Sequence, residues 1–293
     1  MSTATASVRR FLWSVRRELW ETRSIYLGPL AVGGIILIGF FLALVPLPSR
    51  LRAAQALGGA ELRAAVEQPY VIAAIILMAV DLAIAVFYCV DALYGERRDR
   101  SVLFWKSLPV SDVTAVLAKA AIPIVVLPLV TFAATVAVQT VMLVSSTIAL
   151  AAAGLSASMV WQHVSLFEIW RINFGHLVAF HGLWYSPLYA WLLLASAWAT
   201  RVPFLWAALP PVAVAIVERV AFNTRHFQTL VLDHFLGGSD IGNPGGHLTM
   251  TMDMLSSGHL DELLISPGMG IGVVVSLVFL AGAVQLRRYR SGM

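Results

Sequence analysis

Tyr94-Gly95-Glu96-Arg97-Arg98-Asp99-Arg100-Ser101-Val102-Leu103-Phe104-Trp105-Lys106-Ser107-Leu108-Pro109-Val110-Ser111-Asp112 is a densely charged stretch of a chain that is otherwise mostly hydrocarbon. It lies between two long apolar runs, which makes it a loop at a membrane surface. The stretch also has internal order: a charged opening, an apolar-aromatic turn, a stop at Pro109, then Ser111 and Asp112 as a helix start. Ser111 can cap the next helix, and Asp112 sits where a helix N-terminus is positive. A disordered loop would not need Val102, Leu103, Phe104 and Trp105 beside its charges. The segment reads as a docking element for a cytoplasmic partner.

Composition sets the frame around it. The 293 residues are 59% hydrophobic and 12% charged, with a mean hydropathy of +0.81. A soluble domain carries about 25% charged residues, so the chain reads as an integral membrane protein. Lys and Arg outnumber Asp and Glu by 20 to 16. These charges cluster beside apolar runs, which points to topology and anionic lipid rather than nucleic acid. A single cysteine, Cys89, excludes an intramolecular disulfide and a multi-cysteine metal site. No cleavable signal peptide is predicted, because the N-terminus is polar and basic and the first apolar run ends without an A-x-A-like site.

Taken in order, residues 8–23 predict an amphipathic helix lying on the membrane. On a helical wheel Val8, Phe11, Leu12, Val15 and Leu19 share one arc, with Arg10, Arg17, Glu18 and Glu21 opposite. Trp13 and Trp20, with Arg16 and Arg17, are the expected interfacial anchors. Ser24 to Ser49 is free of charge, long enough to cross a hydrocarbon core of about 30 Å. The expected spans are 24–48, 70–94, 120–147, 176–200, 203–222 and 263–286, giving an all-α, six-span protein. Arg50 to Glu67 is expected to be a polar external loop, 95–119 the cytoplasmic loop, and 148–175 and 223–262 external segments. Arg201-Val202-Pro203 predicts a tight turn, Pro210-Pro211 a bend in the fifth span, and Arg287-Arg288-Tyr289-Arg290 the stop of the sixth. With both termini cytoplasmic, 14 of the 20 basic residues fall inside. A seventh crossing would instead send Arg287, Arg288 and Arg290 outside, against the positive-inside tendency.

With that topology in hand, the chain resembles the permease subunits of bacterial ABC transporters of the type-2 exporter class. Four stretches carry the resemblance: Arg17-Glu18-Leu19-Trp20-Glu21, Tyr94 to Asp99, Trp105 to Asp112 with Lys119 beyond, and Leu183-Trp184-Tyr185-Ser186-Pro187 through Ser196-Ala197-Trp198. It implies a permease of the bacterial inner membrane, working as a dimer over two copies of a separate ABC ATPase. The substrate path would lie at the permease interface. ATP and Mg would be bound by the ATPase, and this chain would hold no cofactor and catalyse no reaction. The loop between spans two and three would be the coupling element, with Glu96, Arg97, Asp99, Leu103, Phe104, Trp105, Lys106 and Pro109 as its contacts. The cargo would be amphipathic: lipid-like, a peptide or a drug.

The residues themselves bear on that reading. No G-x-x-x-x-G-K-[ST] occurs, so the chain lacks the usual phosphate cradle. Apolar knobs at Leu103, Phe104 and Trp105 within a charged rim suit a groove on a partner; a basic loop pinned to anionic lipid is the other reading. Asp81 falls at membrane depth, where a carboxylate is costly. It could line a substrate path with Tyr88, take part in proton movement, or be satisfied by a neighbouring helix. Asp91 is expected to pair with the basic loop. His226, His234, His247 and His259, with Met250, Met252 and Met254, make a Cu or Zn site chemically conceivable at spacings that match no established ligand pattern. The alternatives are therefore a proton-coupled secondary transporter using Asp81 and a metal-handling module built on 226–259.

Overall fold

The structure, a computed structural model, describes residues 3–101, 110–236 and 266–290. Among the described residues there is no strand, and 89% are helical. Five helices are long and apolar enough to cross a membrane, six when one bent pair counts as a span.

Helix α1 (Thr3–Glu21) leads through a short turn at Thr22 and Arg23 into α2 (Ser24–Leu44). The expected polar loop at 50–67 is helical instead. It comprises α3 (Leu47–Leu57) and the start of α4 (Gly59–Arg98). The periodicity explains why: Leu51, Ala54, Leu62, Val66 and Tyr70 turn inward on Val138, Met142, Leu143 and Leu150. Arg52, Glu61 and Arg63 stay on the outer face. The second span thus extends past the expected 70–94 at both ends, as a single 40-residue helix.

The third span begins at Asp112, not at residue 120. α5 (Asp112–Ala121), a π-helical turn π1 (Ile122–Val126) and α6 (Leu127–Ala152) form one 41-residue span candidate. Ser111 caps it as expected, its hydroxyl accepting from the Thr114 backbone N–H at 3.1 Å. The π turn has a local cause. Pro128 has no N–H to give the Ile124 carbonyl, and Leu127 donates five residues back to Ile122.

The expected external segment 148–175 holds α7 (Ser158–Trp161) and α8 (Leu166–His176). α8 runs straight into a second π turn, π2 (Leu177–Trp184), and then α9 (Ser186–Trp198), bent by 45° at the break. The bent helix pair at the place of the expected fourth span therefore reaches back to Leu166 and carries an exposed Glu168–Arg171 pair near its start. Val202, at φ 44°, makes the tight turn into α10 (Pro203–Phe222), whose limits match the expected span. Helix α11 (His226–Leu236) follows, and α12 (Pro267–Arg290) continues past the expected stop at Arg287.

Helix α12 lies along α9, α9 along α4, α2 along α6, and α1 on α5. The main core gathers Ile25, Tyr88, Cys89, Leu93, Val116, Leu127, Tyr189, Leu193 and Ala283 between them. On α10 only Ala207 is buried; Leu205, Leu209, Val212, Ile216 and Val220 face outward, as a helix apolar all round does in lipid. π1 and π2 meet at Gly182, where an added Cβ would stand 2.9 Å from the Ile124 carbonyl oxygen. Gly182→Ala is expected to cost about 1–3 kcal/mol of overpacking. Gly34→Ala, with nothing within 4 Å, should leave thermal unfolding in detergent nearly unchanged.

Candidate functional site

Lys119 is the one charged residue inside the apolar run Val113 to Ala121, and it is buried. A buried ammonium must be paired, and two carboxylates supply this. Its Nζ donates to both oxygens of Glu18, at 3.0 and 2.9 Å, and meets Glu96 Oε1 at 3.2 Å. Glu18 also accepts from the Tyr88 hydroxyl at 2.9 Å and pairs with Arg17. Glu96 takes a second cation in Arg17 at 3.2 Å and a third in Arg287 at 2.5 Å. Arg287 Nε closes the set on Asp112 Oδ1 at 3.2 Å.

Three cations (Arg17, Lys119, Arg287) thus face three anions (Glu18, Glu96, Asp112), and they come from four elements: α1, α4, α5 and α12. Glu18 is 2% exposed, Lys119 2%, Glu96 7% and Arg287 8%. Burial alone would raise the Glu18 carboxyl; Lys119 and Arg17 beside it hold it below its ordinary value. The Arg17 guanidinium, which burial would lower, is raised instead by Glu18, Glu21 and Glu96.

This arrangement reassigns several residues. Glu96 is not on an exposed rim; it is the interior anion that Lys119, Arg17 and Arg287 share. Arg17 belongs to the same cluster instead of facing headgroups. Glu18, expected on the outer polar face of its helix, is the most buried residue of α1, with Ser14 next to it on the wheel. Arg97 turns away from the loop and donates to the Ser196 and Ala199 carbonyls at the end of α9, at 2.5 and 2.9 Å. Tyr88 points at Glu18 and not into a path. Asp99 is exposed and pairs with Arg98, which also reaches Asp91 at 3.7 Å. Trp13 and Trp20 are exposed, with the Arg16 guanidinium 5.3 and 4.8 Å from their ring centres. Leu103, Phe104, Trp105, Lys106 and Pro109 lie outside the described residues.

Asp81 is fully buried and accepts from Thr131 and meets His181. Neither partner stood out in the sequence; a histidine in an apolar run facing a lone mid-span carboxylate was the available signal. Among the described residues no group of three or more His, Cys, Asp or Glu could hold a metal ion. His234 stacks on Trp184 with ring centres 4.6 Å apart, and its Nε2 lies 2.8 Å from the Trp184 carbonyl. His247, His259, Met250, Met252 and Met254 lie outside the described residues.

No protein-family model, curated protein or solved structure matches the chain.

Removing one partner of a buried pair strands the other charge, at about 3–5 kcal/mol. Lys119→Met is expected to lower thermal stability by that order, and Glu18→Gln added to Lys119→Met to recover part of it. Glu18 also gives a pH dependence. Its folded carboxyl titrates below 4.5, so its contribution is complete above the unfolded value and is lost as pH falls through the lower folded one. Acid below 4.5 should loosen α1, read by Trp20 fluorescence, and Glu18→Gln should flatten that response.

Proposed function

We propose that this chain is the membrane-spanning permease subunit of an ATP-driven exporter of the ABC class, in the bacterial inner membrane. It works as a dimer, and a separate ATPase drives it through the segment between α4 and α5. The observation that carries the reading is the ion cluster. Its members Glu96 and Asp112 bracket residues 102–109, and each is tied by Arg287 to α12, while Glu96 is also tied by Lys119 to α5 and α1. Ser101 adds a hydroxyl bond to the Glu96 carbonyl at 3.3 Å. A load applied to that short segment reaches three spans and the N-terminal helix at once. A lipid-pinned loop would not require such anchoring at both ends.

The division of labour differs from a docking surface made of all the loop's charges. Glu96 and Arg97 hold the segment to the bundle. Arg98, Asp99 and Arg100 are exposed at its start and available to a partner. Helix α1, with its exposed Val8, Leu12, Trp13 and Trp20, lies along the membrane surface in this reading. The cargo is amphipathic, carried outward at the dimer interface.

The test is to solubilise the full chain from its native membrane in mild detergent and identify what co-purifies. A stoichiometric soluble protein with a phosphate-binding P-loop is expected. Asp99→Lys or Phe104→Ala should release it while the chain still inserts and keeps its thermal stability. Glu96→Gln should lower stability as well, because it leaves Arg287 with Asp112 alone and Lys119 with Glu18 alone. A chain that comes away alone and still transports would overturn the proposal.

A further inference from the structure

The bundle holds a second polar group that the ion cluster does not use. Asp81 sits in the apolar part of α4 with no exposed surface. Its Oδ1 accepts from the Thr131 hydroxyl of α6 at 2.8 Å, and its Oδ2 lies 2.9 Å from His181 Nδ1 on π2. Three elements converge on one carboxylate. The π turn over Leu177–Trp184 and the close approach at Gly182 put the His181 ring within reach.

Charge balance then limits what this group can be. A lone carboxylate at membrane depth is costly and needs a partner. Among the described residues, His181 is the ionisable side chain that pairs with Asp81. Neither π1 nor α6 carries a titratable residue, and α2 carries only Tyr26. Tyr185, between π2 and α9, lies edge-on to His181 at 5.7 Å, and Tyr189 of α9 is within electrostatic reach of Asp81. His176 lies earlier on the same crossing, and Tyr88 and Cys89 farther along α4. Of the charges on the other packed elements, Lys119 of α5 is engaged with Glu18, Arg287 of α12 with Glu96 and Asp112, and Glu168 of α8 with Arg171, while Glu218 and Arg219 lie at the far end of α10. None of these gives Asp81 a fixed cation. With one proton the pair is neutral, written either as imidazolium with carboxylate or as imidazole with carboxylic acid. Without it the pair carries −1 in a low-dielectric interior.

The geometry also says where the proton comes and goes. His181 turns Nδ1 to Asp81 at 2.9 Å; with an Nδ1–H donating there, the exchanging proton is the one on Nε2. The His181 side chain keeps 10% exposure where Asp81 keeps none. The Tyr189 hydroxyl, within electrostatic reach of Asp81, is buried with no hydrogen-bond partner among the described residues. Such groups are rare in folded interiors and are commonly met by ordered water.

We propose that Asp81 and His181 form a reversible proton-binding site at membrane depth, taking up one proton at His181 Nε2, with Thr131 steadying the carboxylate. The site is independent of the ATPase reading and does not rest on it. The experiment is nitrogen NMR on the full-length chain in lipid nanodiscs with labelled imidazoles, the His181 signal being assigned by its loss in His181→Gln. One protonation step at His181 is expected across the titration. Asp81→Asn should move it to lower pH, because the anion favouring the imidazolium is gone. Thr131→Val should move it to higher pH, because the carboxylate loses the hydroxyl that favours its charge, and Thr131→Ser should restore it. If Asp81→Asn does not fold, the Thr131 pair decides alone. A His181 Nε2 that keeps one protonation state throughout, or a step that Thr131→Val leaves in place or lowers, overturns the site. A step at His181 in a chain that brings no ATPase would leave this site standing and remove the exporter reading; the reverse result would do the opposite.

Discussion

A buried lysine cannot remain an ammonium without anions in contact with it, and Lys119 obtains them from two other helices. Glu18 arrives from α1 and Glu96 from α4. Each carboxylate then has lone pairs to satisfy, which draws in Tyr88, Arg17 and Arg287, and Arg287 draws in Asp112. The six buried or half-buried members balance at zero, and the more exposed Glu21 adds a further anion to Arg17 at 3.6 Å. No helix of the four can drift without uncovering a charge. The cluster therefore fixes the position of α1 on the bundle and the starting points of the segment between α4 and α5.

The spans were legible in the sequence where the physics is local. A charge-free window long enough to cross hydrocarbon is a property of the window itself, and 203–222 came out with its limits intact. The Ser111 cap was legible for the same reason: the hydroxyl and the N–H it accepts are three residues apart. Residues 50–67 were misread because their polar side chains say nothing about what lies beneath. Leu51, Leu62 and Val66 are held by partners on α6 and in 160–164, remote in the chain.

The sites failed to show for a sharper version of that reason. A helical wheel ranks Glu18 by its own polarity and sends it outward; its partner Lys119 is 101 residues away. Arg287 reads as a stop-transfer charge until Glu96, 191 residues back, is seen to receive it. Asp81 was visible as a costly residue, but His181 lies 100 residues on and reaches it through a π turn that no periodicity announces. Cost was legible from the sequence; the group that offsets it was not.

The two polar sites share their supports. On α4, Asp81, Tyr88 and Glu96 follow at near-heptad spacing, so one helix face carries the mid-depth pair, the Glu18 contact and the ion cluster. Asp81 and Glu96 are separated by ~22 Å of unbroken helix. Their partners on the neighbouring span, Thr131 and Lys119, are joined differently, because π1 lies between them. A π turn is where a helix most readily changes its register of hydrogen bonds. A straight rod and an adjustable one thus run side by side, pinned together at both sites. The Asp81–Thr131 bond and the Glu96–Lys119 pair therefore join the same two rods on either side of the one interruption, π1.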